Sequence, residues 1–187
     1  MGRTMTIRGT LDGVNFNNIP EEKLILSYES PDRTKAWKVT GAFVWPLDNT
    51  YGIPTNPKSS IDHASGYMAV LQTDTIPRTT NEKFLAAEES RNIAWLNASN
   101  YQVLNGPGGY QFSGQLGTGF VQGTDMLIDV DRLVTNQLYL SAIAYTASGD
   151  NPGTLALSYM VVLEEVKVSN SQSLLQQLKG IGQDISA

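Results

Sequence analysis

Two long β-type runs near the end of the chain, NQLYLSAIAYT and TLALSYMVVLEEVKVS, constrain the fold more than any other part of the sequence. In the second run, the side chains at odd positions from Leu155 to Leu163 fall on one face, and those at even positions from Ala156 to Glu164 fall on the other. This is the period of two of a β-strand. Both sets are largely apolar at the centre of the run. The pattern predicts a central strand packed between two layers, and therefore a protein built on β-sheets.

Shorter extended segments precede these runs. They are Thr4–Arg8, Lys23–Ser30, Lys35–Trp45, Gly66–Asp74, and the segments NIAWL and DMLIDVD. We expect Lys23–Ser30 and Lys35–Trp45 to form a hairpin, because a short turn separates them, and we expect the stretch LDGVNFNNIPEE, which includes LDGVN, to be turn-like. The prolines between Pro46 and Ser65 predict a long surface loop.

The number and spacing of these segments predict an all-β fold. About eight strands connected by long loops, with almost no helix, favour an eight-stranded jelly-roll-like β-sandwich that occupies residues 1–187 as a single domain. An immunoglobulin-like domain would be smaller and more evenly spaced, and a lipocalin-like barrel stays open as an alternative.

The tail predicts a short C-terminal helix over residues 169–180. Ser169 is a candidate N-cap, Gln172 stands three residues later as in a capping box, and Gly180 supplies the end of the helix. Its apolar stripe consists of Leu174, Leu175 and Leu178. A helix of about ten residues is marginal alone, so the stripe is expected to dock on its own sheet or on a neighbouring subunit, with the first arrangement favoured.

The composition excludes several classes of function. The chain has no cysteine and a single histidine, His63, which rules out disulfides, thiolate metal sites and multi-histidine zinc sites. His63 is expected in a polar turn with a structural or solvated role. A net charge of −5 argues against a basic surface for nucleic acid. We therefore expect no catalytic residue, no cofactor and no enzymatic activity. With no signal segment and no apolar run of about 20 residues, we expect the chain to begin at Met1 and to have no membrane contact.

Asp129 and Asp131 in TDMLIDVD are the candidate metal ligands. We expect them to share one face of a strand, where a calcium ion could bridge them to a neighbour. The segment lacks the glycine and the terminal glutamate of an EF-hand loop, so solvated carboxylates are favoured over a metal site.

The aromatic residues divide into a core set and a surface set. Trp37 and Trp45 share the alternation of one strand with Val39 and Phe43, which predicts that they are buried. A second set lies in loops or beside glycines and supplies candidates for ligand binding or for an interface. These are Tyr51, Tyr101 and Tyr110.

The closing region, IDVDRLVTNQLYLSAIAYTASGDNPGTLALSYMVVLEEVKVSNSQSLLQQLKGIGQD, resembles the carboxy-terminal part of small single-jelly-roll structural proteins of environmental single-stranded DNA viruses. The resemblance covers about the last third of the chain. It implies a capsid (coat) subunit of the virion that assembles with itself through sandwich edges and loops and can contact other virion proteins. It also implies synthesis in the cytoplasm or nucleus of a host cell.

The chain departs from many such coat proteins at its N-terminus, where an arginine-rich arm would neutralise the packaged genome. Its first 40 residues contain six basic and five acidic side chains. Contact with nucleic acid is therefore doubtful, because neutralising phosphate charge is the main source of nonspecific affinity. The alternative function is a carbohydrate- or receptor-binding β-sandwich module, such as a spike or tail component.

Removing residues 170–187 tests where the leucine stripe docks. If the stripe packs on its own subunit, the truncation lowers the free energy of unfolding by a few kcal/mol, since each buried leucine contributes about 1.5–3 kcal/mol. If it packs on a neighbour, the truncated chain stays folded but loses its oligomeric form. Urea denaturation and light scattering separate the two outcomes, and no change in either would show that the stripe packs against nothing.

Overall fold

The computed structural model describes residues 2–15, 19–28, 34–47, 63–74, 84–102, 124–146, 154–169 and 171. Between residues 2 and 169 they form strands and turns and no helix. The strands are β1 (Thr4–Asn15), β2 (Glu21–Ser27), β3 (Lys35–Pro46), β4 (His63–Gln72), β5 (Asn92–Gln102), β6 (Leu127–Ile128), β7 (Leu133–Val134), β8 (Gln137–Thr146) and β9 (Thr154–Lys167). The all-β prediction is confirmed, and the predicted helix at 169–180 lies outside the described residues apart from its start. No helix in the described part is long and apolar enough to span a membrane.

The strands form two antiparallel sheets, which we call sheet 1 and sheet 2. Sheet 1 has the order β1-β9-β3-β7, and sheet 2 has the order β2-β8-β4-β5-β6. Apart from the two-residue β6, the first strand pairs with the last, the second with the next to last, and so on inward along the chain. Such a ribbon of antiparallel pairs, folded over into two facing sheets, is a jelly roll. The predicted eight-stranded jelly-roll sandwich is confirmed, with β6 as a short additional strand.

Strand β9 lies at the centre of sheet 1 between β1 and β3, as its alternation predicts. The odd positions from Leu155 to Leu163 are all buried in the core between the sheets. The even positions from Ala156 to Glu164 are only half-buried. The prediction of two complete layers around this strand is therefore wrong on its outer face, where the packing is partial.

One hydrogen bond crosses the core from sheet 2 to sheet 1. The hydroxyl of Tyr67 on β4 donates to the backbone oxygen of Val44 on β3 at 3.1 Å. Burial of Tyr67 raises the pKa of its phenol to about 12, because the core disfavours the phenolate. The bond satisfies the hydroxyl that this large side chain brings into an apolar core.

Trp37 is buried as predicted, and it packs edge-on against Tyr28 with ring centroids 5.9 Å apart. Trp45 was also predicted to be buried, and that prediction is wrong: its side chain is exposed. The cause is a β-bulge in β3, where Thr40 is an extra residue between the paired positions Val39 and Gly41.

The bulge shifts the alternation of β3 by one residue. Before it, Trp37 and Val39 face the core, and after it Ala42 and Val44 do so. Phe43 is therefore half-buried on the outer face, and Trp45 lies beyond it on the same face. Counting positions by twos through the whole segment could not detect this change of face.

Two further local expectations are corrected by the structure. Strands β2 and β3 do not form a hairpin, because β2 pairs with β8 in sheet 2 and β3 pairs with β9 in sheet 1. The stretch LDGVN is not a turn but the end of β1, which continues past Arg8 to Asn15. The pairing of β1 with β9 shifts register between Leu11 and Val14, and this irregularity lets the strand continue. Gly13 lies within it in a left-handed conformation at φ 78°, which glycine adopts readily.

Residues 84–91 form turns that cover part of the outer face of sheet 2. Phe84 is buried there against Val70 and Ile143, in a hydrophobic cluster separate from the main core. The buried guanidinium of Arg91 pairs with the carboxylate of Glu89 at 2.9 Å and fixes these turns. Sheet 2 is thus partly packed on both faces by described residues.

Val161→Asp tests the central position of β9. Val161 is fully buried, so an aspartate there places an unpaired charge in the core at a cost of several kcal/mol, against a typical total stability of about 5–15 kcal/mol. Val162→Asp on the half-buried face is the matched control and should cost less. Thermal unfolding by circular dichroism measures both, and an unchanged melting temperature for Val161→Asp would contradict the assignment.

Tyr67→Phe tests the bond between the sheets. At pH 9 the variant should be less stable by about 1 kcal/mol, because the Val44 oxygen loses its donor. The raised pKa of Tyr67 stabilises the folded chain below pH 10.0, and this contribution is lost as the pH rises from 10.0 to about 12, since the unfolded chain deprotonates first. Two pKa units correspond to about 2.7 kcal/mol, so the gap between the wild type and the variant should close at about pH 11 and reverse by pH 12, as measured by urea denaturation. A gap that does not depend on pH would contradict this account.

Candidate functional site

The two sides of the sandwich are built differently, and one of them is bridged by backbone hydrogen bonds. On that side Val44 on β3 donates to the Thr124 oxygen at 2.9 Å, and Met126 donates to the Ala42 oxygen at 2.9 Å. The same segment then crosses to sheet 2, where the amide of Asp129 donates to the Ile93 oxygen on β5 at 2.9 Å. We call this the bridged side.

Two short strands complete the bridged side. Strand β6 pairs with β5 through Ala94 and Trp95, and β7 returns to pair with Trp37 and Lys38 on β3. The segment 124–134 thus covers the outer edge of β3 near both of its ends and the outer edge of β5 at one end.

The opposite side, which we call the open side, presents β1 and β2 as edge strands. Strand β1 has 12 residues, and β9 is its only partner among the described strands. The Arg3 oxygen accepts from the Glu165 amide at 2.7 Å, which shows that the odd residues of β1 direct their backbone groups toward β9. Backbone groups alternate along a strand, so the amides and carbonyls of Thr4, Thr6 and Arg8 face outward. Within the described part of the chain, they have no backbone partner.

Lys23 on β2 marks the end of this unpaired stretch. Its ammonium donates to the Thr10 oxygen at 2.6 Å and lies 5.9 Å from the centre of the Tyr159 ring. Burial raises the pKa of the Tyr159 phenol. The Tyr159 ring lies directly against Gly9, where a β-carbon would come within 2.5 Å of the phenol oxygen. Because Lys23 occupies the Thr10 oxygen, the part of the edge that remains available is Thr4–Arg8.

The side chains of this edge also differ between its two faces. Thr4, Thr6 and Arg8 are exposed on the outer face. Met5 and Ile7 pack against the main core but remain half-buried, and no described strand lies beyond β1 to cover them. A strand added at this edge would complete both the hydrogen bonding and the burial.

A polar cluster on the outer face of sheet 2 joins β2 to the rest of that sheet. The Glu22 carboxylate accepts hydrogen bonds from the side-chain amide of Gln72 and from the Ser141 hydroxyl, the latter at 3.1 Å. Burial raises the pKa of the nearby Tyr139 phenol, with smaller contributions from the charges of Asp74 and Glu22. Glu22 therefore links three neighbouring strands, which is a structural role.

Asp129 and Asp131 lie in the turn between β6 and β7, so the expectation that they share a strand face is wrong. The Asp129 carboxylate accepts from the Asp131 amide at 3.0 Å and lies 3.5 Å from the Arg132 guanidinium. Its oxygens therefore have local partners that hold the turn. In the described ranges, no group of three or more His, Cys, Asp or Glu residues is placed to hold a metal.

Most of the other candidates lie outside the described residues. They are Tyr51, Tyr110, Leu174, Leu175 and Leu178. Tyr101 has its backbone in β5, paired with Ala64, but its side chain is not described. His63 begins β4 instead of lying in a turn before it. The open edge was not singled out in the sequence, although the alternation of Thr4, Thr6 and Arg8 with Met5 and Ile7 carries its signal.

Comparison with known protein families finds no match, and comparison with curated proteins finds no similar sequence. Among solved structures, VP1 of chimpanzee polyomavirus aligns over 89% of this chain and 96% of its own, at 12% identity and a TM-score of 0.46. VP1 of Merkel cell polyomavirus in complex with GD1a oligosaccharide covers the same shares, at 13% identity and a TM-score of 0.41. Likeness at this level carries no argument about function, and the jelly-roll assignment comes from the strand order.

Proposed function

We propose that this chain is a self-assembling structural subunit of a viral capsid and that the open edge of β1 carries a contact between copies. The observation behind the proposal is the row of outward backbone groups at Thr4, Thr6 and Arg8, beside the half-buried side chains of Met5 and Ile7. A long edge strand with unpaired backbone is a template for another strand, and monomeric proteins usually protect such edges.

The protection at this edge is partial. Lys23 occupies the Thr10 oxygen and leaves the N-terminal half of β1 available. Each backbone hydrogen bond gained there contributes about 0.5–1.5 kcal/mol, and covering the half-buried core side chains adds apolar burial. Contacts of this kind fit a subunit that is completed by its neighbours.

The charge of the chain supports assembly without nucleic acid. The net charge is −5, and only 17% of the residues are charged, so like subunits can approach without strong repulsion. The contact is made of backbone and apolar groups, with an expected burial on the order of 1,200–2,000 Å² for each pair. Such an interface tolerates salt better than one driven by phosphate contacts.

The virion assignment rests on the resemblance of residues 128–184 to capsid proteins of environmental single-stranded DNA viruses. Contact with other virion proteins and synthesis in the host cytoplasm or nucleus follow from the same resemblance and are part of this proposal. The first 40 residues contain six basic and five acidic side chains, so the proposal includes no contact between them and a genome.

The second candidate function is a carbohydrate- or receptor-binding module, and one observation favours it. The exposed Trp45 lies on the outer face of sheet 1, in a row with Ser158 and Thr10 on the neighbouring strands. An indole beside hydroxyl groups suits the apolar face and the hydroxyls of a sugar ring. The exposed surface of one tryptophan is a smaller feature than the unpaired edge, so capsid assembly is the first candidate.

Thr6→Pro tests the assembly proposal. Proline removes an outward amide and obstructs an incoming strand, but it leaves the bonds between β1 and β9 in place, so the variant should fold as the wild type does and fail to assemble. Ile7→Pro is the matched control: it removes an amide directed toward β9 and should destabilise the subunit itself. Light scattering at micromolar concentration and circular dichroism report the two effects.

The wild-type chain, purified free of nucleic acid, should form assemblies from low to high salt. A strictly monomeric wild type across that range, with and without calcium, would contradict the capsid proposal and favour the binding module. An assembling wild type whose Thr6→Pro variant assembles equally well would keep the capsid proposal and remove β1 as its contact.

A further inference from the structure

The outer face of sheet 1 carries an apolar surface. After the bulge in β3, every second residue points to this face. Phe43 is half-buried there, and Trp45 and Leu47 are 36% and 58% exposed. Leu47 follows the last residue of β3, and its amide continues the hydrogen bonding to β9 at 2.9 Å. Together with the half-buried Met160 and Val162 on β9, these residues form what we call the β3–β9 face.

The pairing register places these side chains next to one another. Phe43 is paired directly with Met160, and Gly41 is paired with Val162. A β-carbon on Gly41 would lie 3.1 Å from Cε2 of the Phe43 ring and 3.6 Å from Cβ of Val162. The Phe43 ring therefore lies over the glycine toward Val162. The side chains of β3 and β9 thus form one contiguous patch.

The two sheets differ in how their outer faces are covered. On sheet 2, the turns at 84–91 bury Phe84 against Val70 and Ile143. On sheet 1, the exposure of Trp45 and Leu47 shows that this end of the β3–β9 face is open. Contiguous apolar patches that remain open and have polar residues at their rims mark sites of interaction with other molecules.

A cation and an anion flank the β3–β9 face within one row of paired residues. The row crosses sheet 1 and consists of Arg8, Met160, Phe43 and Asp125. Paired residues point to the same face, so Arg8 and Asp125 lie at opposite rims of the patch, about 14 Å apart for three strand spacings. Both are exposed. The Asp125 carboxylate accepts from the Thr124 hydroxyl at 3.2 Å, and the Arg8 guanidinium has no ion-pair partner among the described residues.

We propose that two copies of the chain pack their β3–β9 faces against each other about a two-fold axis that runs along the strands between the two sheets. The inference rests on the proposed capsid function and adds a second contact to the one at β1. The rotation reverses the row from left to right, so Arg8 of each copy faces Asp125 of the other. The apolar side chains between these two ion pairs meet as in the aligned packing of two sheets.

The distribution of charge selects a second copy as the occupant of this face. A like surface presents the same row in reverse, which brings opposite charges together at both rims. Exposed ion pairs add little affinity, so the apolar patch supplies most of the binding and the charges fix the register. A two-fold contact of this kind stops at the dimer, so growth into a shell still depends on the edge of β1.

Charge reversal tests the contact with two full-length variants. Arg8→Glu places two carboxylates at each of the paired positions, and Asp125→Arg places two guanidinium groups there. Each variant alone should dimerise with a Kd weaker by on the order of tenfold or more, because like charges oppose each other at both rims. An equimolar mixture should recover dimers of wild-type affinity, since each variant then supplies the charge that the other lacks. Sedimentation velocity at micromolar concentration measures all three samples.

Arg3→Glu is the matched control for the change in net charge. Arg3 is exposed near the start of β1 but lies outside the row, so this variant should dimerise as the wild type does. Circular dichroism should show the same melting temperature for the three variants and the wild type, because all the substituted side chains are exposed.

The outcomes separate this contact from the function on which it rests. Charge-reversal variants that assemble as the wild type does, or a mixture that dimerises no better than either variant alone, overturn the face contact and leave capsid assembly through β1 standing. Dimers formed by full-length Leu178→Asp but not by the wild type would show that the chain's own leucine stripe covers the face, which also overturns the contact. A wild-type chain that forms neither dimers nor larger assemblies, together with a monomeric Leu178→Asp variant, overturns both proposals.

Discussion

The antiparallel pairing of β9 with both β1 and β3 is the interaction on which the rest of the structure depends. It joins the last described strand to the first and third, so sheet 1 brings together residues that are more than 100 positions apart in the sequence. The odd positions of β9 supply one wall of the core, and the strands of sheet 2 supply the other. Because β9 is central, its partner β1 becomes an edge, and the unpaired backbone that we connect with assembly follows from the topology of the jelly roll.

The asymmetry between the two sides follows from where the chain crosses between the sheets. On the bridged side, residues 124–129 hydrogen-bond to β3 and then to β5. On the open side, β1 and β2 are successive in the chain but belong to different sheets, and a lysine side chain joins them. One side therefore joins the two sheets through backbone hydrogen bonds, and the other presents outward backbone groups of β1 that have no backbone partner among the described residues.

The sequence predicted the architecture better than the details of the faces. Strand β9 was found because its alternation is long and uninterrupted, and the sandwich followed from the number of such segments. Trp45 was misplaced because the bulge at Thr40 exchanges the faces of β3, and no local pattern announces an extra residue. The hairpin between β2 and β3 failed because strand pairing over long range outweighed proximity in the chain. The open edge itself depends on which strand pairs with β9, a property of topology that periodicity cannot supply.

Amide hydrogen exchange along β1 tests the central claim most directly. In dilute monomer, the amides of Thr4, Thr6 and Arg8 should exchange rapidly, while those of Met5 and Ile7, directed toward β9, should be protected. In assembled protein all five should be protected. Equal exchange of the three outward amides in the monomer and in the assembly would contradict the account, because it would show that copies join without using this edge.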